Sequence, residues 1–198
     1  MKATGIVRRI DDLGRVVIPK EIRRTMRIRE GDPLEIYTDR EGEVIFKKYS
    51  PIGELAAFAT QYAETLHKTC GLSVAICDRD TVIACAGIPK REYADRPLSE
   101  ALEQIMEGRA FYAGGDGDPK NITRDGGTHA VGCAMPIVSE GDVVGCVVSA
   151  HPLATDPAAA PGNSRPGGTR PGENRPASDI EAKLIQTAAN FLGRQLES

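Results

Sequence analysis

The sequence predicts an α+β protein in two parts. One is a small β-rich N-terminal domain, residues 1–50, that needs a partner. The other, residues 51–198, is a larger domain in which helices flank an antiparallel sheet. Three observations carry this reading. The strands at 16–18 and 44–46 are apolar on both faces. Ser50-Pro51 breaks the pattern. From residue 51 the periodicity runs helix, hairpin, helix, strand, loop, hairpin, helix, an order that suits a helix-covered sheet.

In the first part, residues 4–10 read as a short strand, Asp11-Asp12-Leu13-Gly14 as a turn, and residues 15–18 as the return strand. Pro19 suits the first position of a helix, where its missing N–H costs nothing, and residues 19–27 are expected to form that helix. Glu30-Gly31-Asp32-Pro33 ends the segment. Residues 34–38 and 43–49 form a hairpin around Asp39-Arg40-Glu41-Gly42. Fifty residues without a disulfide or metal bury too little surface for comfortable stability. Val16-Val17-Ile18 and Val44-Ile45-Phe46 need cover on both faces. Dimerisation is its simplest source.

In the second part, Leu55, Phe58, Ala59, Tyr62 and Leu66 form a helical stripe over 53–69. Residues 73–77 and 81–86 read as a hairpin. A helix at 98–107 carries Leu98, Ala101, Leu102, Ile105 and Met106 and stops at Gly108. A strand is expected at 109–113 and a glycine-rich loop at 114–127. Residues 129–138 and 143–150 form a second hairpin. Residues 152–177, rich in Pro, Gly, Asn, Arg and Ala, cannot offset ordering entropy by burial and are expected to be disordered. Ser178-Asp179-Ile180-Glu181 then has capping-box spacing. The helix that follows, with Ile180, Leu184, Ile185, Ala188, Phe191, Leu192 and Leu196, has an apolar face wide enough to serve its own domain and a partner.

Composition narrows the function. Apolar residues make up 40% and charged residues 27%, the balance of a soluble globular protein. No apolar run approaches the ~18 residues that would span a membrane, and no signal-peptide core follows Met1. A cytoplasmic protein without a membrane role is expected. Five Cys without an export signal argue against a disulfide framework. Neither the Cys nor the His spacing suits a metal, so no metal or cofactor is expected. The net charge of −3 hides an asymmetry: residues 1–50 carry a surplus of three positive charges, and residues 51–198 a deficit of six. Residues 1–29 alone hold 9 basic and 3 acidic side chains. A basic end on an acidic body points to a polyanion partner for that end.

Lys20, Arg23, Arg24 and Arg27 fall at helical spacing on one face of the helix at 19–27, with Ile22 and Met26 on the core-facing side. Stacked like charges repel, so such a face suits a negatively charged partner. Arg8 and Arg15 flank the first turn. A dimer would present two copies of each arginine, enough for several phosphates of a DNA duplex. Arginine also forks onto guanine in the major groove.

Residues 1–24, from Met1-Lys2-Ala3-Thr4-Gly5 through Gly14-Arg15-Val16-Val17-Ile18-Pro19 to Ile22-Arg23-Arg24, resemble the N-terminal domain of the AbrB family of transition-state regulators. The resemblance continues through Leu34-Glu35-Ile36-Tyr37 and Lys47-Lys48-Tyr49. It implies a dimer of swapped hairpins that binds double-stranded DNA, with Arg8, Arg15, Arg23 and Arg24 as contacts and Lys2, Arg9, Lys20 and Arg27 as weaker candidates. Pro51-Ile52-Gly53-Glu54-Leu55 and Ala188-Ala189-Asn190-Phe191-Leu192 resemble AbrB-type regulators that carry a C-terminal GAF domain. That resemblance implies an activator or repressor of genes of spore development, and no enzyme. It implies a homotetramer: dimers formed through 1–50 and joined by the helices at 53–69 and 178–196. It also implies a place for a small-molecule effector. The insertion at 152–177 departs from the family pattern.

Some GAF relatives use reactive Cys to reduce free methionine sulfoxide. Here Cys77, Cys85, Cys133 and Cys146 lie in apolar strands, where free Cys acts as a small hydrophobe. Cys70, before Gly71, is expected to be exposed. His67, His129 and His151 share no ligand spacing and read as structural or surface residues. The glycine-rich loop lacks the Lys-Ser or Lys-Thr of a phosphate-binding loop. An antitoxin role, which the same N-terminal fold also serves, ordinarily goes with a disordered toxin-binding tail. This chain is expected to end in a folded domain.

Overall fold

The structure, a computed structural model, describes residues 5–115, 118–153 and 177–197. The chain divides into two compact units, Met1–Tyr49 and Ser50–Ser198.

In the first unit, β1 (Leu34–Thr38) pairs antiparallel with β2 (Val44–Lys48), with Leu34 opposite Lys48 and Thr38 opposite Val44. Asp39 closes the hairpin, its Oδ1 accepting from the backbone N–H of Glu41 and Glu43, both at 2.9 Å. The helix α1 (Lys20–Thr25) is shorter than the expected 19–27. Pro19 is its N-cap rather than its first residue. Its C-terminus closes in a Schellman arrangement: Ile28 N–H donates to the Arg23 carbonyl at 2.8 Å and Arg27 N–H to that of Arg24 at 3.3 Å. Arg27 is therefore left-handed, at φ 53°. It leaves the helix instead of continuing the charged face. The Lys48 ammonium braces the turn: it donates to the Arg27 carbonyl at 2.9 Å and pairs with Asp32 at 3.3 Å, tying the helix end to β2.

The expected strands at 4–10 and 15–18 form no β-ladder among the described residues of the single chain. A strand is defined by its neighbour, and one chain supplies no neighbour here. Val7 is 84% exposed, Ile10 69% and Val17 70%. Met26, expected to face a core, is also exposed, while Ile22 is half-buried.

The second unit has three layers. The central sheet has strand order β4-β3-β7-β6-β5, with β3 (Val74–Cys77), β4 (Val82–Ala86), β5 (Tyr112–Ala113), β6 (His129–Ser139) and β7 (Asp142–Pro152), all neighbours antiparallel. Strand alternation sorts the core. Val74, Ile76 and Val147 face one side, and Ala75, Cys77, Cys146 and Val148 the other. The first side is covered by α3 (Ala56–Cys70) and α6 (Asp179–Leu196), through Ala59, Ala63, Leu66, Ile185, Ala188 and Leu192. The second is covered by α4 (Lys90–Tyr93), α5 (Glu100–Glu107) and the segment around Ile122.

The expected helix at 53–69 is two pieces, α2 (Pro51–Glu54) and α3. Ser50 caps α2 by accepting from Gly53 N–H, and α3 ends at left-handed Gly71. Ser99 caps α5 in the same way, and Ser178 caps α6 with the full capping box. The helix α4 escapes sequence analysis: four residues are too few to show a stripe. Most of the segment expected to be disordered lies outside the described residues, but Pro152 belongs to β7 and Ala177 packs against the first core.

Candidate nucleic-acid interface

Arg8, Arg15, Arg23 and Arg24 are all exposed, and all belong to the first unit. Arg23 and Arg24 follow each other in the last turn of α1, a helix with no buried residue. Cations there complement the partial negative charge of the helix C-terminus. Lys20 shares the helix, and Arg27 does not. Arg8 lies before the first turn, its Nη1 donating to the Val7 carbonyl at 3.4 Å. Arg9 is likewise exposed, and Lys2 lies outside the described residues.

The turn that carries Arg15 is built around one carboxylate. Asp11 Oδ1 accepts from the backbone N–H of Leu13 at 3.1 Å and of Arg15 at 2.7 Å. Its Oδ2 accepts from Arg15 Nε at 2.7 Å. The backbone adds Asp11 N–H to the Arg15 carbonyl at 3.1 Å and Gly14 N–H to the Asp11 carbonyl at 3.0 Å. Gly14 supplies the positive φ, 76°, that the turn requires. The Arg15 backbone N–H, and then its guanidinium, hold the Asp11 carboxyl below its ordinary pKa, so it stays charged. Sequence reasoning read Asp11 as turn chemistry and missed its hold on Arg15.

In the second unit the thiols behave as core. Cys77, Cys85, Cys133 and Cys146 are buried, and Cys70 is exposed. Cys77 and Cys146 are opposite partners on β3 and β7. The hydrogen bond between them and their burial push the Cys77 thiol well above its ordinary pKa. Burial takes Cys133 up to about 12. Lys90 pulls Cys85 the other way, but burial wins. A redox or nucleophilic centre would need the opposite shifts.

Two of the histidines, read from the sequence as structural or surface residues, make structural hydrogen bonds. His151 Nε2 lies 2.7 Å from Glu181 Oε1, and Ser149 Oγ donates to the same oxygen. Burial pushes the Glu181 carboxyl up, but the bonds from His151 and Ser149 bring its pKa below the ordinary value. His129 Nδ1 lies 3.0 Å from Thr128 Oγ1, which donates to Glu92 Oε2 at 2.9 Å. Tyr93 Oη accepts from His129 N–H at 2.7 Å. Tyr93, Leu98, Leu102 and Ile122, all fully buried, pack together in the core on the second side of the sheet. Outside them lies a surface depression of about 500 Å³ lined by Lys90, Arg91, Ala94, Asp95 and Arg96. Among the described residues no cluster of His, Cys, Asp or Glu is placed to hold a metal. No described helix is long and apolar enough to cross a membrane.

Residues 54–160 match the family described as stage V sporulation protein T C-terminal, transcription factor. Residues 7–53 match the family described as antidote-toxin recognition MazE, bacterial antitoxin. The whole chain aligns with 99% of stage V sporulation protein T from Bacillus subtilis at 48% identity. Transition state regulatory protein AbrB from the same organism is 65% identical over 54% of this chain and 95% of its own length. In three dimensions the cyanobacteriochrome receptor PixJ covers 75% of this chain and 98% of its own at 13% identity and a TM-score of 0.50. At that identity the likeness shows fold alone.

Proposed function

Because the chain belongs to the stage V sporulation protein T family of transcription factors, with an AbrB-type first unit and a GAF-like second unit, we propose that it regulates sporulation-stage genes by binding their DNA through Arg8, Arg15, Arg23 and Arg24. The observation that carries this reading is the exposure of all four arginines on one small unit. Two copies of the first unit double the array, and the uncovered Val7, Ile10 and Val17 supply the reason to pair. The Phe58, Tyr62 and Phe191 rings on α3 and α6, clustered at centroid spacings of 5.6–6.1 Å with Phe191 exposed, supply a second surface through which dimers join as a tetramer. The activity is regulatory rather than enzymatic and belongs in the cytoplasm. An effector would meet the outer depression at Lys90, Arg91 and Arg96, whose charge suits an anion.

The test is affinity against salt for the full-length protein and an Arg23→Ala/Arg24→Ala variant. Each neutralised phosphate contributes roughly −0.9 to the slope of log affinity against log salt. A dimer that loses four phosphate contacts is expected to flatten by roughly 3 to 4. An unchanged slope would remove these residues from the interface.

The antitoxin reading has one observation in its favour, the match of residues 7–53 to an antitoxin family. It asks for a toxin that co-purifies in stable stoichiometry with the full chain. The folded second unit gives the regulator reading the advantage.

A further inference from the structure

The DNA-facing array contains an acid that simple electrostatics disfavours. Asp11 is an exposed, ionised carboxylate in the same turn as Arg15, and it would repel the phosphates that Arg15 attracts. Its contacts suggest why it is there. One oxygen organises the turn through two backbone N–H groups, and the other takes the Nε of Arg15. A guanidinium held by Nε still presents its two Nη groups outward, and the Arg15 side chain is 69% exposed. The restraint removes much of the rotamer freedom that a long cation otherwise loses on binding, and it fixes the direction of the fork.

We propose that Asp11 is a specificity-determining residue: it positions Arg15 so that the fork matches one geometry of DNA rather than any phosphate. The inference rests on the DNA-binding reading of the first unit. A free arginine finds phosphates on every sequence. A held arginine gains full contact only where base edges or groove shape meet it. Asp11 thus trades general affinity for discrimination.

The experiment uses full-length protein and two duplexes of equal length, one recovered from a random library by selection on the immobilised wild type, the other of random sequence. Asp11→Asn keeps an oxygen for the two backbone donors, so the turn is retained, but the charge is lost. The expected result is unchanged or tighter binding to random DNA, with the selected-to-random ratio falling roughly tenfold, the scale of one well-placed fork contact. Asp12→Asn removes the same charge one residue away and is expected to shift both affinities alike. In an Arg15→Ala background, Asp11→Asn is expected to leave the ratio where Arg15→Ala put it. If Asp11→Asn leaves the wild-type ratio intact while Arg15→Ala lowers it, the proposal is overturned and the DNA reading stands. If Arg15→Ala changes neither affinity, the proposal is overturned and Arg15 leaves the interface; if the library enriches no sequence, the proposal and the regulator reading are both overturned.

Discussion

At the scale of single residues, burial decides which chemistry is open. Five cysteines invite a redox reading, yet four are buried in strands, and their surroundings push the Cys77, Cys85 and Cys133 thiols above their ordinary pKa. With its pKa at about 12, Cys133 is thiolate in on the order of one molecule in 10⁵ at neutral pH. Cys77 and Cys146 face each other, but the hydrogen bond between them stabilises the protonated form of Cys77. A thiol reagent at neutral pH is therefore expected to titrate Cys70 at once and the other four only on unfolding. Rapid reaction of more than one thiol in the native protein would reopen the redox reading. The arginines show the opposite case. Their charge pattern was legible in the sequence because it is local, whereas the grip of Asp11 on Arg15 was not. An aspartate two residues before a turn leucine has a sufficient role as turn former, and only coordinates reveal the second bond.

At the scale of elements, periodicity made α3, α5, α6 and both hairpins of the second unit legible, because each buries one face over several turns or alternations. The shortest pieces were not. The four residues of α4 show no repeat, and α1 ends in a turn at left-handed Arg27, whose carbonyl is held by Lys48, over twenty residues away. The tie between β7 and α6 was equally hidden: Ser149 and His151 precede the residue-154–176 segment, and Glu181 follows it. That carboxylate also completes the cap of α6. Its folded pKa is lowered from 4.5, so its contribution to stability is full above that ordinary value and is lost as pH falls through the folded one. His129 and Cys133 are the other titratable neighbours of the pair. Glu181→Gln is expected to cost about 1–3 kcal/mol at pH 7, since it weakens a buried hydrogen-bonded network. The gap from wild type is expected to narrow in urea melts below pH 4.5. A gap that does not change with pH would assign the loss to packing.

At the scale of the whole molecule, the two units present different reasons to associate. The first exposes the arms around the Asp11 turn, where Val7, Ile10, Leu13 and Val17 are exposed among the described residues. The second has a core in which Ile52, Ile137 and Ile185 are fully buried, and among its described residues it exposes the large apolar side chains of Phe191, Ile180 and Val138. If the first pairing is needed for folding and the second only joins dimers, they are separable. Phe191→Glu places a charge on the second surface while leaving the buried Leu192 and Ala188 in place. Its expected outcome in sedimentation velocity is a species of half the wild-type mass that remains folded. Such a dimer retains one arginine array instead of two. It is expected to bind a duplex with one site as the wild type does, and a duplex with two sites more weakly by roughly 10²-fold or more, because the linked second contact is lost. A Phe191→Glu protein of unchanged mass would place the joining surface elsewhere. A monomer would mean that both pairings run through the helices, and the exposed arms of the first unit would then need a different partner.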